Sequence, residues 1–375
     1  MSDFHPIRLN FKDPVFGELP YFNKNQFNPN LPKIDKICSR PFTAIEIAAM
    51  GEVIVCCFDW LPVKLGNVLS NTLDEIWQGP KAETLRNTIL DGSYKYCNRE
   101  TCHSLVSPEK KDLKSKDVFK QPTQKLPEII LFSVDPTCNL YCPSCRKEEL
   151  KQLDANRHTR AMTIVKSVLK QIVAEPHDQK IMIGFDGTGE VFHSAIYREI
   201  FETENFFSNL ELWPNITFLF KTNGVMMTEK IQKRYAHLFK RMESISISID
   251  AGNKESYDKV RLGGQWDLLW KNLDYLHETC FNPDSLDSQD WSWQLILQED
   301  NYESIPELIK LARSYTKKMP SVVISPLINW GTFTSEEFAK KAVWQPTSEK
   351  YQHLLEILNS PEVRDYPRLV SPISK

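Results

Sequence analysis

From residue 127 onward, strand-like and helix-like patterning alternates, which predicts an α/β protein built on a partial (β/α)6 TIM-like barrel. Two further observations shape that expectation. One strand candidate alternates strictly between isoleucine and hydroxyl side chains. A cysteine-rich stretch, residues 36–105, precedes the barrel and is set off from it by a polar, lysine-rich segment at 106–126. The expected order is an irregular arm over 1–35, a small cysteine-rich domain over 36–105, a linker over 106–126, the barrel over 127–330 and a helical tail over 331–375.

The barrel strands are expected at Glu128–Val134, Lys180–Asp186, Ile216–Thr222, Ser244–Asp250, Trp291–Gln298 and Ser321–Pro326. Helical periodicity falls between them at Thr159–Ala174, Phe192–Glu204, Thr228–Phe239, Gln265–Glu278 and Ile305–Lys317. The last of these opens on Ser304-x-x-Glu307, a capping-box pattern. In the small domain, two apolar runs within Ala44–Cys57 flank Gly51 and predict a hairpin. Thr72-x-x-Glu75 has the capping-box pattern and opens a helix over Leu73–Leu90, with Ile76, Trp77, Leu85 and Ile89 as its apolar stripe. The tail offers one more helix at Glu349–Leu358.

Parallel strands are normally apolar on both faces. Here Ile245, Ile247 and Ile249 share one face, and Ser244, Ser246, Ser248 and Asp250 the other. Trp291, Trp293, Leu295 and Leu297 repeat the division against Ser292, Gln294 and Gln298. The apolar faces must pack under helices, so the polar faces line a lumen. Lys221, Ser246 and Gln294 are the side chains expected to touch a substrate there. In such barrels chemistry sits where the strands end.

Composition narrows the class. The chain has 375 residues, is 41% hydrophobic and carries a net charge of −3, so no basic field favours nucleic acid. No apolar run approaches the ~18 residues of a membrane helix, and the N-terminus does not resemble a signal peptide. A cytoplasmic location follows, where thiols stay reduced. Nine cysteines then need a purpose other than disulfides. Cys38, Cys56, Cys57, Cys97 and Cys102 form an early group, Cys138, Cys142 and Cys145 a tight run, and Cys280 stands alone. Two groups with ligand-like spacing read as two metal centres.

The run Asp135-Pro-Thr-Cys138-Asn-Leu-Tyr-Cys142-Pro-Ser-Cys145 follows the first barrel strand with C-x3-C-x2-C spacing. It supplies three thiolates, one fewer than an iron–sulfur cube needs, and so leaves one iron open. A zinc site would want a fourth ligand, and the nearest histidine, His158, is 13 residues beyond Cys145. Gly187-Thr188-Gly189-Glu190 follows the second strand, Thr222-Asn223-Gly224 ends the third, and Arg261-Leu-Gly-Gly264 follows the fourth. Taken singly, these read as turns, with an ammonium contact at Glu190 or an anion contact at Arg261 as the sharper alternative. The early cysteines suit either a cube or a tetrahedral zinc. Cys280 reads as a small buried hydrophobe or as a thiol hydrogen donor.

Together these pieces resemble the radical SAM superfamily over residues 127–330. The resemblance implies that Cys138, Cys142 and Cys145 hold a [4Fe–4S] cluster. It also implies that S-adenosylmethionine is met by Gly187, Thr188, Gly189 and Glu190 at its amino group, by Ser248 and Asp250 near the ribose and by Arg261 near the carboxylate. Thr222 and Asn223 match the end of the family's third strand. Residues 36–105 resemble a SPASM or twitch auxiliary-cluster domain: Cys38…Gly51-x4-Cys56, Lys64-Leu-Gly-Asn-Val and Thr72-Leu-Asp-Glu-Ile-Trp77 fit. In the best-known members that domain follows the barrel; here it precedes it. The second half of the long cysteine pattern is missing, which implies one auxiliary [4Fe–4S] cluster, held by Cys38, one of Cys56 and Cys57, Cys97 and Cys102. Ser144 stands where many relatives place an aromatic, and Thr188 replaces the middle of a Gly-Gly-Glu motif.

The implied chemistry is reductive cleavage of S-adenosylmethionine to a 5′-deoxyadenosyl radical that takes a substrate hydrogen, with electrons from a donor such as flavodoxin or ferredoxin. Oxidation, epimerisation with Cys280 as hydrogen donor, and peptide cross-linking are the possible outcomes. The substrate is a small molecule, a sugar or a peptide; the first two gain weight because residues 1–35 are too short for a peptide-leader module. No nucleic acid or membrane partner is expected. The competing reading is a non-enzymatic zinc or iron–sulfur scaffold.

Overall fold

The computed structural model describes residues 9–21, 30–58, 60–99, 102–106, 113–116, 119, 124–175, 177–185, 188–281 and 289–373. The strands in chain order are β1 (Leu9–Asp13), β2 (Gly17–Tyr21), β3 (Lys36–Ile37), β4 (Ala44–Ala48), β5 (Glu52–Ile54), β6 (Gly66–Asn67) and β7 (Lys114–Ser115). They continue with β8 (Ile129–Ser133), β9 (Ile181–Phe185), β10 (Ile216–Thr222), β11 (Met242–Ser248), β12 (Asp290–Leu297), β13 (Ser321–Pro326) and β14 (Leu369–Val370).

The six strands expected for the barrel, β8 to β13, pair side by side in chain order, every neighbour parallel. Their helix-facing side is apolar throughout. Phe132, Phe185, Phe218, Phe220, Ile245, Ile247, Trp291 and Trp293 are fully buried. Phe185 alone meets Phe132, Tyr197, Phe201, Phe207, Phe218 and Phe220 ring to ring. Each such side chain stabilises the fold by about 1.5–3 kcal/mol through burial alone. The other side carries the half-buried Ser244, Ser246, Ser248, Ser292 and Gln294, as the alternation predicts. Helices cover the apolar side. Ala155–Ile172 starts at Asp154, whose side chain accepts from Arg157 N, and Ala195–Thr203 starts at Ser194, which accepts from Tyr197 N. Among the described residues no helix is long and apolar enough to cross a membrane.

The barrel is open, and its first edge is extended by the small domain. β4 pairs parallel with β8, and β5 and β6 continue antiparallel beyond it, so one sheet of ten strands runs β14-β13-β12-β11-β10-β9-β8-β4-β5-β6 among the described residues. The hairpin expected around Gly51 is therefore part of the barrel's own sheet. Left alone, the β8 edge would show unpaired N–H and C=O groups; β4 satisfies them, and Ile45 and Ile47 join the same apolar layer. The segment expected as linker also contributes structure, since β7 pairs antiparallel with β3.

Other local expectations are corrected. The arm read as irregular holds the β1–β2 hairpin, fastened by buried Asp13, whose carboxylate accepts from Val15 N, Phe16 N, Lys95 Nζ and Tyr96 Oη. The helix expected over Leu73–Leu90 is two, Leu73–Trp77 and Pro80–Leu90, broken at Gly79-Pro80 because proline lacks the N–H that continuation needs. The Thr72–Glu75 capping box forms. The Ser304–Glu307 box does not: the Ser304 hydroxyl donates to Asn301 O and accepts from Gly252 N instead. The tail holds Ser335–Lys341, Tyr351–Asn359 and Pro361–Arg364, and ends in β14, which periodicity did not reveal because it is two residues long.

Candidate metal centres

The cysteine run leaves the C-terminal end of β8 as a loop and crosses above the neighbouring strand ends. Cys138 N donates to Leu150 O at 2.9 Å, and Tyr141 N donates to Leu262 O at 3.1 Å, so the loop is held at its base and against the segment after β11. Each sulfur has N–H donors. Leu140 N and Asn223 Nδ2 reach Cys138 Sγ at 3.4 and 3.7 Å, Arg261 Nη1 reaches Cys142 Sγ at 3.6 Å, and Arg146 Nη2 reaches Cys145 Sγ at 3.7 Å. Cys142 is buried and Cys145 exposed. Burial pushes the Cys138 thiol up to about 11 and raises that of Cys142 against the pull of Arg261. A bound cation is what such sites need before the sulfurs release their protons.

The donor set fits an anionic cluster held by three thiolates, with N–H groups already aimed at the sulfurs. Arg261 Nε and Tyr257 Oη, beside Cys142, are buried without a hydrogen-bond partner. Orphaned buried groups cost about 1–3 kcal/mol each, so they fit a site that completes its hydrogen bonds with a polar ligand. Among the described residues no three His, Cys, Asp or Glu side chains converge on a point as a single metal ion requires. Thiolates on a cube bind different irons and stand wider apart than the ~3.8 Å of two sulfurs on one zinc.

The ends of β9, β10 and β11 are tied to this loop by ionisable side chains. Glu190 is buried. Its Oε1 accepts from Thr222 Oγ1 at 2.6 Å and Phe192 N at 3.2 Å, and its Oε2 from Asn223 N at 2.6 Å. Burial raises its carboxyl pKa, while Thr222 and Asn223 draw it back down. Both oxygens are thus engaged in fixing the β10 end, and Asn223 in turn reaches the Cys138 sulfur. Gly189 packs against the cysteine loop: a Cβ there would lie 2.3 Å from Asp135 O and 2.6 Å from Thr137 O. Gly189→Ala must push two backbone segments apart. We expect loss of iron uptake at the Cys138 loop with the global fold retained, checked by iron content and circular dichroism. Thr188 O accepts from Arg146 Nη2 at 2.6 Å. Gly187 lies outside the described residues.

Asp250 and Arg261 pair with each other. Arg261 Nη2 meets Asp250 Oδ2 at 2.8 Å, with side chains 12% and 4% exposed. Asp250 Oδ1 also accepts from Ile296 N at 2.7 Å. Burial works against both charges, yet Asp250 and Cys142 hold the guanidinium firmly protonated. Arg261 therefore links the fourth strand end to the central cysteine. Ser248, Ser246, Lys221 and Gln294 all lie on the concave face below this layer.

Four of the early cysteines come together. Cys38 and Cys102 raise the proton affinity of both the Cys56 and the Cys97 thiol, Cys56 adds to that of Cys97, and the Cys56 thiol is pushed up to about 12, burial first. Tyr94 braces the group: its Oη accepts from Cys38 N at 2.8 Å and donates to Lys36 O at 2.7 Å. Cys56 is coupled electrostatically to Cys38, Cys102 and its chain neighbour Cys57. This group lies at the other end of the sheet. Cys38 precedes β4, and Cys56 follows β5, which runs antiparallel back to the level where β4 begins.

Cys280 ends the helix Trp266–Cys280, which runs from the Cys138 loop down to the start of β12. It is half-buried against the main core, with Thr279 Oγ1 at 3.7 Å. That position is at the barrel end opposite Cys138, where a hydrogen donor to chemistry at the strand tops does not belong. Glu46 is the residue sequence reasoning missed. It stands on the concave face of β4, and Ser133 Oγ donates to its Oε1 at 2.6 Å.

These features define two cysteine groups, one at each end of the strands of one open, largely parallel sheet. Residues 38–103 match the SPASM family, an iron–sulfur cluster-binding domain. Two curated relatives are the FeMo cofactor biosynthesis proteins NifB of Methanocaldococcus infernus, 26% identical over 40% of this chain and 48% of the relative, and of Methanocaldococcus jannaschii, 28% identical over 34% and 41%. The chain thus spans about half the length of the curated relatives it matches. A solved structure described as native anSMEcpe with bound AdoMet is 15% identical over 54% of this chain and 51% of that one; its TM-score of 0.37 is too low to bear on fold or ligand. The match places a SPASM iron–sulfur cluster-binding domain ahead of the six parallel strands of the barrel.

Proposed function

We propose that this chain oxidises a hydroxyl-bearing small molecule held on the concave face of the sheet, between its two cysteine groups. One observation carries the reading: Cys138, Cys142 and Cys145 stand at the C-terminal ends of the strands, and Cys38, Cys56, Cys97 and Cys102 at the other end. The five residues of β4, at about 3.3 Å each, separate those levels by about 16 Å.

When bound, S-adenosylmethionine and the first cluster would supply abstraction of a carbon-bound hydrogen atom through a 5′-deoxyadenosyl radical, one auxiliary cluster would accept the remaining electron, and the hydroxyl proton would leave to solvent. The chain's own part is positional. Cys138, Cys142 and Cys145 hold the first cluster and Cys38, Cys56, Cys97 and Cys102 the second. Arg261, fixed by Asp250, keeps a donor on the Cys142 sulfur. Glu190 locks Thr222 and Asn223 beneath the cysteine loop. Lys221, Ser246 and Gln294 contact the substrate. Cys145 is exposed, which supports approach of a reductant such as a flavodoxin or ferredoxin on that side.

The test is anaerobic reconstitution, reduction with dithionite and assay for 5′-deoxyadenosine, followed by mass analysis of the turned-over substrate. We expect the nucleoside, a product lacking two hydrogens, and no solvent deuterium at carbon. Cys97→Ala should still form 5′-deoxyadenosine while yielding no oxidised product. Solvent deuterium at an intact carbon would mean epimerisation; zinc at both sites with no nucleoside would restore the scaffold reading.

A further inference from the structure

The concave face is layered. Glu46 sits beside Leu131, Leu131 beside Gly184, and Gly184 beside Leu219. A Cβ on Gly184 would lie 2.3 Å from Leu131 Cδ2 and 3.5 Å from Leu219 Cδ2, so these leucines close over the glycine as an apolar floor. The next level is polar. Ser133 stands above Leu131, and Ser246 lies between Lys221 and Ser292. Gln294 Nε2 donates to Ser292 Oγ at 3.1 Å.

Glu46 spans the two levels. Its backbone is at the floor, and its carboxylate meets Ser133 Oγ above. Among the described residues Ser133 is its one hydrogen-bond partner, and no lysine or arginine pairs with it, although the side chain is half-buried. Across the same level the Ser246 hydroxyl is buried without a partner. A half-buried carboxylate with an unused oxygen calls for a charged donor, and an orphan hydroxyl beside an amide calls for further hydroxyls. The apolar floor suits the carbon skeleton that carries them.

We propose that Glu46 and Ser133, with Ser246, Ser292 and Gln294, bind a hydroxyl-rich small molecule bearing an ammonium group, the Glu46 carboxylate taking the ammonium. This deepens the reading of the concave face as the substrate site and rests on it. The SPASM region thereby gains a second role, because its first strand supplies the residue that selects the substrate.

The probe is glucosamine, with glucose as the uncharged comparison, titrated calorimetrically into the anaerobically reconstituted full chain. Wild type should prefer glucosamine by about 10-fold or more, the expected worth of a charge-assisted hydrogen bond. Glu46→Gln keeps the shape and the contact with Ser133, and should bring the two sugars to within about 2-fold of one another. Ser133→Ala, which leaves the carboxylate in place, should retain the preference with weaker binding. Melting curves confirm that each variant folds. Equal glucosamine affinity in wild type and Glu46→Gln, a preference for glucose, or no saturable binding by wild type would overturn the proposal. The same wild-type preparation is assayed for 5′-deoxyadenosine. Its absence would count against the cofactor chemistry alone, and the sugar comparison stands or falls separately.

Discussion

Cys142→Ala protein, reconstituted anaerobically, should hold about four fewer irons per chain than wild type and form no 5′-deoxyadenosine above background. Cys142 is the central and most enclosed of the three ligands, 5% exposed, and Arg261 Nη1 is aimed at its sulfur. Removing it leaves two thiolates, Cys138 and Cys145, at the two ends of a short loop, and leaves a buried guanidinium hydrogen with no acceptor. The early group, at the far end of the sheet, should keep its own cluster, so brown colour and part of the iron should persist. Cys280→Ala serves as the comparison, since it lies at the barrel end opposite this loop, and should retain iron and nucleoside formation alike. Iron and sulfide assays with chromatographic detection of the nucleoside decide it. A Cys142→Ala protein with full iron content and undiminished 5′-deoxyadenosine would remove this loop from the chemistry.

The largest stability effect is expected at Asp250. Asp250→Asn keeps the size of the side chain, an oxygen for Ile296 N, and a residue type tolerant of its backbone angle, φ 61°. What it removes is the charge opposite Arg261, whose guanidinium is 12% exposed. An uncompensated buried charge costs about 3–5 kcal/mol, which urea unfolding of the cluster-free protein would read directly. Replacing Arg261 as well, in Asp250→Asn/Arg261→Leu, should recover part of that loss, because the isolated charge is then gone. Equal stability of Asp250→Asn and wild type would show that Arg261 does not depend on the Asp250 charge and is solvated or paired otherwise in solution.

How much of this could be read in advance depended on how local the information was. The C-x3-C-x2-C run and the strict Ile/Ser alternation of Ser244–Asp250 are local patterns. Period-two patterning fixes which residues share a face, and the structure places Ser244, Ser246 and Ser248 together on the concave side. The Thr72–Glu75 box was equally legible, because a cap needs partners only three residues apart. Ser304–Glu307 has the same spelling and forms no box, since a distant backbone N–H, Gly252, claims the hydroxyl. The grouping of Cys56 with Cys38, Cys97 and Cys102 was likewise closed to sequence, because it joins segments about 40 residues apart.

The sequence by itself determined the parallel α/β barrel and the three-thiolate loop after its first strand, because each is written in spacing along a single stretch of chain. The tertiary structure alone decided that β4 extends the barrel sheet, that Asp250 is spent on Arg261, that Cys280 lies at the wrong end, and that Glu46 meets Ser133 across 87 residues. Those are pairings between segments far apart in the chain, and strand register and buried charge are settled only when the packed faces meet.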